Sequence, residues 1–132
     1  MIVREEVFTL ILEACPLFAP AWREFCEEWG DEKDLPLYLA SADLARHLIS
    51  LLAAGDTATF AAVFGVVERL HREGDPYVKE LATVGILEDI QNGNLHKTTE
   101  PEQFRPYLRP ESERWWDKLY AFWEEGKLLT DD

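Results

Sequence analysis

The sequence predicts an all-α fold: a single helical domain over residues 1–132, built as a bundle of about five main helices joined in antiparallel hairpins. Three observations predict it. Apolar residues recur at i, i+3, i+4 and i+7 in one segment after another. Gly, Asp and Pro fall where helices should stop and start. The chain also carries five Trp and seven Phe, enough apolar matter in 132 residues to bury a core without metal or disulfide staples.

The best-marked element is the helix expected over 75–92, DPYVKELATVGILEDIQN. Gly74 can end the preceding helix, Asp75 can cap the next, and Pro76 suits a first helical position, where its missing N–H costs nothing. Val78, Leu81, Ala82 and Gly85 share one face, while Tyr77, Val84, Leu87 and Ile90 widen the apolar arc beyond a surface stripe. This helix is therefore expected at the centre. Gly85 needs a reason, since glycine inside a helix costs about 1 kcal/mol relative to alanine. The helix expected over 56–73 has its own interior glycine, Gly65, at a matching distance from the turn, so the two predict a close crossing within one hairpin.

The remaining elements follow in order. Val3, Val7, Leu10, Ile11 and Ala14 form the apolar face of a first helix that Pro16 ends. A second helix follows Pro20, with Trp22, Phe25, Cys26 and Trp29 inward and Gly30 at its end. The third, over 36–54, turns Leu44, Leu48, Leu51 and Leu52 inward with His47 beside them. Gly55–Asp56, Gly74–Asp75 and Gly93–Asn94 recur at an even spacing, which suggests a repeated helix-plus-cap unit of HEAT-like kind. Pro101, Pro106 and Pro110 restrict the next segment to a short helical turn over 102–107, whose His96, Lys97, Arg105, Tyr107 and Arg109 are expected to cover the core or pair with acids of the central helix. The last helix, over 110–125, carries Trp115, Leu119 and Phe122 on one row and Trp116, Tyr120 and Trp123 on the next. Such an aromatic surface calls for burial or for a groove that takes a ligand or peptide.

Charge narrows the function. Twenty-six acids against 13 Lys and Arg leave a net charge of −13, which repels nucleic acid and anionic membranes and favours encounter with basic proteins. The densest acidic run is Glu24, Glu27, Glu28, Asp31, Glu32 and Asp34, with Trp22 and Trp29 as edge anchors for a partner. Glu88 and Asp89 form a second group. They point about 100° apart on their helix, so they are no converging acid/base pair, and one of them is expected to bond Arg105 or Arg114.

Enzyme chemistry has fewer signals. Glu68 and His71 make a single E-x-x-H pair, the half-motif of a di-iron site, and antiparallel register sets Val78 and Leu81 opposite it, not a second carboxylate. His47 is the other candidate base or ligand, its plainer reading being a core histidine. Cys15 and Cys26 have no metal-ligand spacing and read as small core residues. No phosphate loop, nucleophile elbow or catalytic triad pattern occurs. The expectation is thus no enzyme, no metal and no cofactor. With no signal-peptide pattern and no membrane-length segment, a cytoplasmic location is expected.

Two segments, VKELATVGILEDIQN at 78–92 and FRPYLRPESERWWDKLYAFWE at 104–124, resemble those of a family of small, acidic, helical bacterial proteins of uncharacterised activity, associated with immunity to polymorphic toxins. The resemblance covers mainly the C-terminal half and brings no catalytic residue with it. It implies a protein that binds and blocks a basic cognate toxin through acidic surface. Two other readings are kept beside it: a helical scaffold or peptide-binding adaptor, and a metal-dependent enzyme centred on Glu68 and His71.

Overall fold

Asp75 caps its helix as the sequence predicts, its carboxylate accepting the Val78 N–H at 2.9 Å in the computed structural model, which describes residues 1–30 and 34–131. From there a continuous helical rod runs over 76–91. It comprises α5 (Pro76–Glu80), a π-helical stretch (Leu81–Leu87) and α6 (Glu88–Gln91). Val78, Leu81, Ala82, Ile86, Leu87 and Ile90 on it are fully buried, so it is the central element. Around it stand α1 (Arg4–Ala14), α2 (Ala19–Trp29), α3 (Leu37–Ala53), α4 (Phe60–Glu73) and α7 (Pro110–Glu125). Short 3₁₀ turns at Pro16–Phe18, Gly93–Leu95 and Pro101–Tyr107 make up the rest of the helical structure. The described residues form no β-strand, only an isolated bridge by which Ile2 holds the α4–α5 turn, its N–H on the Glu73 carbonyl and its carbonyl under the Asp75 N–H. No helix among them is long and apolar enough to cross a membrane.

Three expectations about glycines are corrected. Gly65 and Gly85 do not face each other. A Cβ on Gly65 would meet the Arg109 guanidinium at 3.1 Å, whereas one on Gly85 would meet Leu81 at 3.0 Å and the Ser41 Oγ at 3.2 Å. The close approach of the central rod is therefore to α3, where Ser41 turns its hydroxyl back onto the Leu37 carbonyl and leaves a small surface. Nor do the evenly spaced glycines form one repeated cap. Gly55 is left-handed at φ 75°, Gly74 is extended, and Gly93 opens a 3₁₀ turn. Gly55–Asp56 also serves only the helix before it: Asp56 N–H bonds the Leu51 carbonyl, and α4 begins at Phe60, later than expected.

The segment before α7 does cover the core. Phe104 is fully buried against Phe60 and Phe64, with Tyr107 edge-on to Phe60 at 5.1 Å. Arg105, however, pairs with Glu102, Glu113 and Asp117, not with acids of the central rod. Arg114 bonds Glu111 and Asp131. Among the described residues, neither arginine reaches Glu88 or Asp89. The cysteines are both free; Cys15 is buried in the core as expected, whereas Cys26 is only half-buried.

Candidate functional site

The acidic side of α2 is open to solvent, with Glu24, Glu27 and Glu28 exposed, and Asp34 beyond it exposed too. Asp31 and Glu32 lie outside the described residues. Trp22 and Trp29 are not free anchors. They are half-buried in a ladder of rings in which Phe8 stacks on Trp22 at 4.5 Å, Trp22 on Phe25 at 5.6 Å, and Phe25 tilts against Trp29. The i, i+3, i+7 spacing that marked them is the spacing of a helix face turned to its own core. Glu24 and Glu28 instead form one wall of a groove of about 510 Å³ whose other wall is Asp43, Arg46 and His47 on α3. Burial pushes the His47 imidazole pKa down, and its Nε2 is enclosed without a partner.

A second cleft, of about 540 Å³, opens between α6 and the last turns of α7. Glu88, Asp89 and Gln91 line one side, and Tyr120, Trp123 and Glu124 the other. No described residue donates a hydrogen bond to the side chain of Glu88 or Asp89. Burial, and then the charge of Glu88, push the Asp89 pKa up to about 6, against a weaker pull from Arg46. Burial also raises Glu88. Gln91 donates its Nε2 to the Trp116 carbonyl at 2.9 Å, but its Oε1 is buried with no donor. Tyr120 is held as a fixed wall, its hydroxyl on Glu102 and its ring edge-on to Trp116. Trp123 is 63% exposed and Phe122 is 39% exposed. The expected burial of the whole aromatic surface of α7 therefore holds for Trp116 and Leu119 but fails at its last turn.

Arg46 joins the two acidic regions. It lines the α2–α3 groove with Glu24 and Glu28, bonds Asp43 at 3.2 Å, and acts electrostatically on Asp89. Residues far apart in sequence thus meet along one acidic face.

Glu68 and His71 have a different setting. Glu68 Oε1 accepts the Ser112 N–H at 2.9 Å and its hydroxyl at 3.0 Å, and Oε2 accepts the Glu111 N–H at 3.1 Å and Arg72 Nε at 2.8 Å. The carboxylate caps α7 from another helix and meets the positive end of its dipole. Burial raises the Glu68 carboxyl, but these donors outweigh it and hold the pKa below the usual range. His71 Nδ1 lies 3.1 Å from Ser112 Oγ, and Nε2 lies 2.9 Å from Thr83 Oγ1. Because Ser112 gives its proton to Glu68, His71 donates from Nδ1 and accepts from the Thr83 hydroxyl. Burial pushes His71 down to about 4 despite the charge of Glu68, so it is neutral near pH 7. Thr83 sits in the π-helical stretch, where the Glu88 N–H reaches the Thr83 carbonyl five residues back.

All the donor and acceptor positions that a metal would need from Glu68 and His71 are already engaged within the protein. No group of three or more His, Cys, Asp or Glu among the described residues is arranged to hold an ion. Ser112 and Thr83 were not singled out from sequence, nor were Gln91 and Glu124 as lining groups, whereas Tyr120 and Trp123 belong to the aromatic row expected to be buried or to form a groove. The one signal available was the aromatic i, i+4, i+7 row through Trp116, Tyr120 and Trp123, which does not say where the core ends.

The chain matches none of the curated proteins or solved structures with which it was compared. Residues 8–124 match the family described as a domain of unknown function (DUF7674), and the chain belongs to that family.

Proposed function

We propose that this protein is an immunity-type inhibitor that binds a basic cognate toxin through its acidic face and blocks access to the toxin's active site. The observation that carries the reading is the α6–α7 cleft, where two half-buried carboxylates have no hydrogen-bond donor among the described residues and stand beside an exposed Trp123. Carboxylates left this way cost the free protein stability, a cost that an oppositely charged partner would remove. The exposed Glu24, Glu27 and Glu28, continued through Asp43 to Asp89, supply the longer-range field that speeds encounter. Trp is also a residue type on which binding energy concentrates at interfaces.

The test is capture from the native host at low and high salt, followed by co-expression of each captured basic protein with this chain. A toxic protein whose effect is relieved by the wild-type chain, and not by one with Glu28, Glu88 and Asp89 neutralised, bears the proposal out. Association should slow roughly tenfold or more between low and high salt. Relief that is indifferent to those charges and to salt would favour the peptide-adaptor reading, in which the aromatic surface around Phe122 and Trp123 binds alone.

A further inference from the structure

The α6–α7 cleft is built for a cation by more than its carboxylates. The helix formed by residues 76–91 ends at this cleft, and so does α7, so the negative ends of two helix dipoles meet there. Acids normally favour the opposite end of a helix. Here Glu88, Asp89 and Glu124 all occupy the C-terminal turns, where each is repelled by the dipole and by the others. Gln91 also lines the polar wall, held there by its Nε2 donating to the Trp116 carbonyl. The facing wall is flat and aromatic, with Tyr120 fixed by Glu102 and Trp123 largely open.

Resting on the function proposed above, we infer that this cleft receives one arginine side chain of the basic partner, its guanidinium stacked on Trp123 and Tyr120 and donating to Asp89 and Glu88. Arginine fits better than lysine for three reasons. Its planar head matches an aromatic wall on one side and several separate acceptors on the other. It carries five donors, enough for both carboxylates. It is also less strongly hydrated than an ammonium group, so it enters a half-buried cleft at smaller cost.

The probes are capped Gly-Arg-Gly, Gly-Lys-Gly and Gly-citrulline-Gly peptides, titrated into the ¹⁵N-labelled full chain. The readouts are the Trp123 indole N–H and the backbone amides of Asn92 and Gly93. The arginine peptide should shift these signals saturably, with a dissociation constant on the order of 1 mM. The lysine peptide should bind at least ~5-fold more weakly and the citrulline peptide not measurably. D89N and W123A should each weaken the arginine peptide ~10-fold or more while their thermal melts stay at or above wild type; for W123A the Asn92 and Gly93 amides report. No saturable shift with the arginine peptide, equal shifts with citrulline, or binding indifferent to D89N overturns the inference. Its failure is separable from that of the wider reading. If a captured toxin is still neutralised by D89N and W123A chains, the arginine cleft is wrong and the immunity function stands. If the peptide binds as described but no toxin is neutralised, the cleft stands and the function fails.

Discussion

The two ends of α7 treat carboxylates in opposite ways. At the N-terminus, Glu68 is enclosed, meets the favourable end of the dipole and accepts four hydrogen bonds from Glu111, Ser112 and Arg72. At the C-terminus, Glu88, Asp89 and Glu124 meet the unfavourable end, and the first two are half-buried with no donor among the described residues. One end is complete in itself and the other is incomplete. This contrast separates a polar cluster satisfied within the fold from one that accepts no hydrogen bond from the described residues and feels only the distant charge of Arg46. A glutamate–histidine pair with metal-like spacing is thus fully hydrogen-bonded within the chain, while two adjacent acids with no motif at all are left open.

The largest effect should come from breaking the complete end. Replacing Glu68 by Ala would strand the Glu111 and Ser112 N–H groups and leave the Ser112 hydroxyl and Arg72 without their acceptor. A loss of about 4 kcal/mol in urea unfolding is expected. A loss below about 1 kcal/mol would mean that the cap is not what holds α7 against α4.

The pH dependence of stability sharpens the comparison, because the two ends have opposite signs. The folded His71 pKa, at about 4, lies below its unfolded value near 6.5. Its contribution is therefore fully present above pH ~6.5 and is lost as pH falls toward and through ~4, about 3 kcal/mol in all. His71→Gln should flatten that part of the profile. Asp89 runs the other way. Its folded pKa, about 6, is above the unfolded value, so its favourable contribution is present below pH ~4 and is lost as pH rises through ~6. Glu88, Glu124 and Arg46 are the charged groups that bear on it. Asp89→Asn should hence stabilise the protein above pH ~6, by about 1 kcal/mol once solvent screening of a half-buried group is allowed for, and the gain should vanish by pH ~4. A destabilising Asp89→Asn at pH 7.5 would show that the carboxylate has found an internal partner.

The same contrast decides what could be read from the sequence. The Asp75 cap, the ends of α3 and α7 and the central place of the 76–91 rod were all legible, since each rests on residues adjacent in the chain or on one helical period. The cap on α7 was not, because its acceptor comes from α4, 44 residues away from Ser112. Gly85 announced a close approach but not its partner, as any of several helices could have offered a small surface, and Ser41 of α3 does so. At the other end, Trp22 and Trp29 had the spacing of a buried face and proved to be one. Trp123 had the same spacing with Trp116, yet α7 is exposed from Phe122 to Glu125, so periodicity identified the face and not the depth.

Trp123 therefore gives the smallest stability effect and the most discriminating one. With most of its surface already in water, it contributes little to the core, and Trp123→Ala should change stability by less than about 0.5 kcal/mol. A large exposed indole at the rim of an acidic cleft is an expense for a free protein, since it invites nonspecific association. In the complex proposed above, truncating such an anchor should cost about 2 kcal/mol or more of binding, roughly a 30-fold change in affinity. If Trp123→Ala unfolds the protein, the indole belongs with the complete end of α7, and the contrast between the two ends collapses. If the variant is as stable as wild type but no longer binds a basic partner, the incomplete end is the working surface of the molecule.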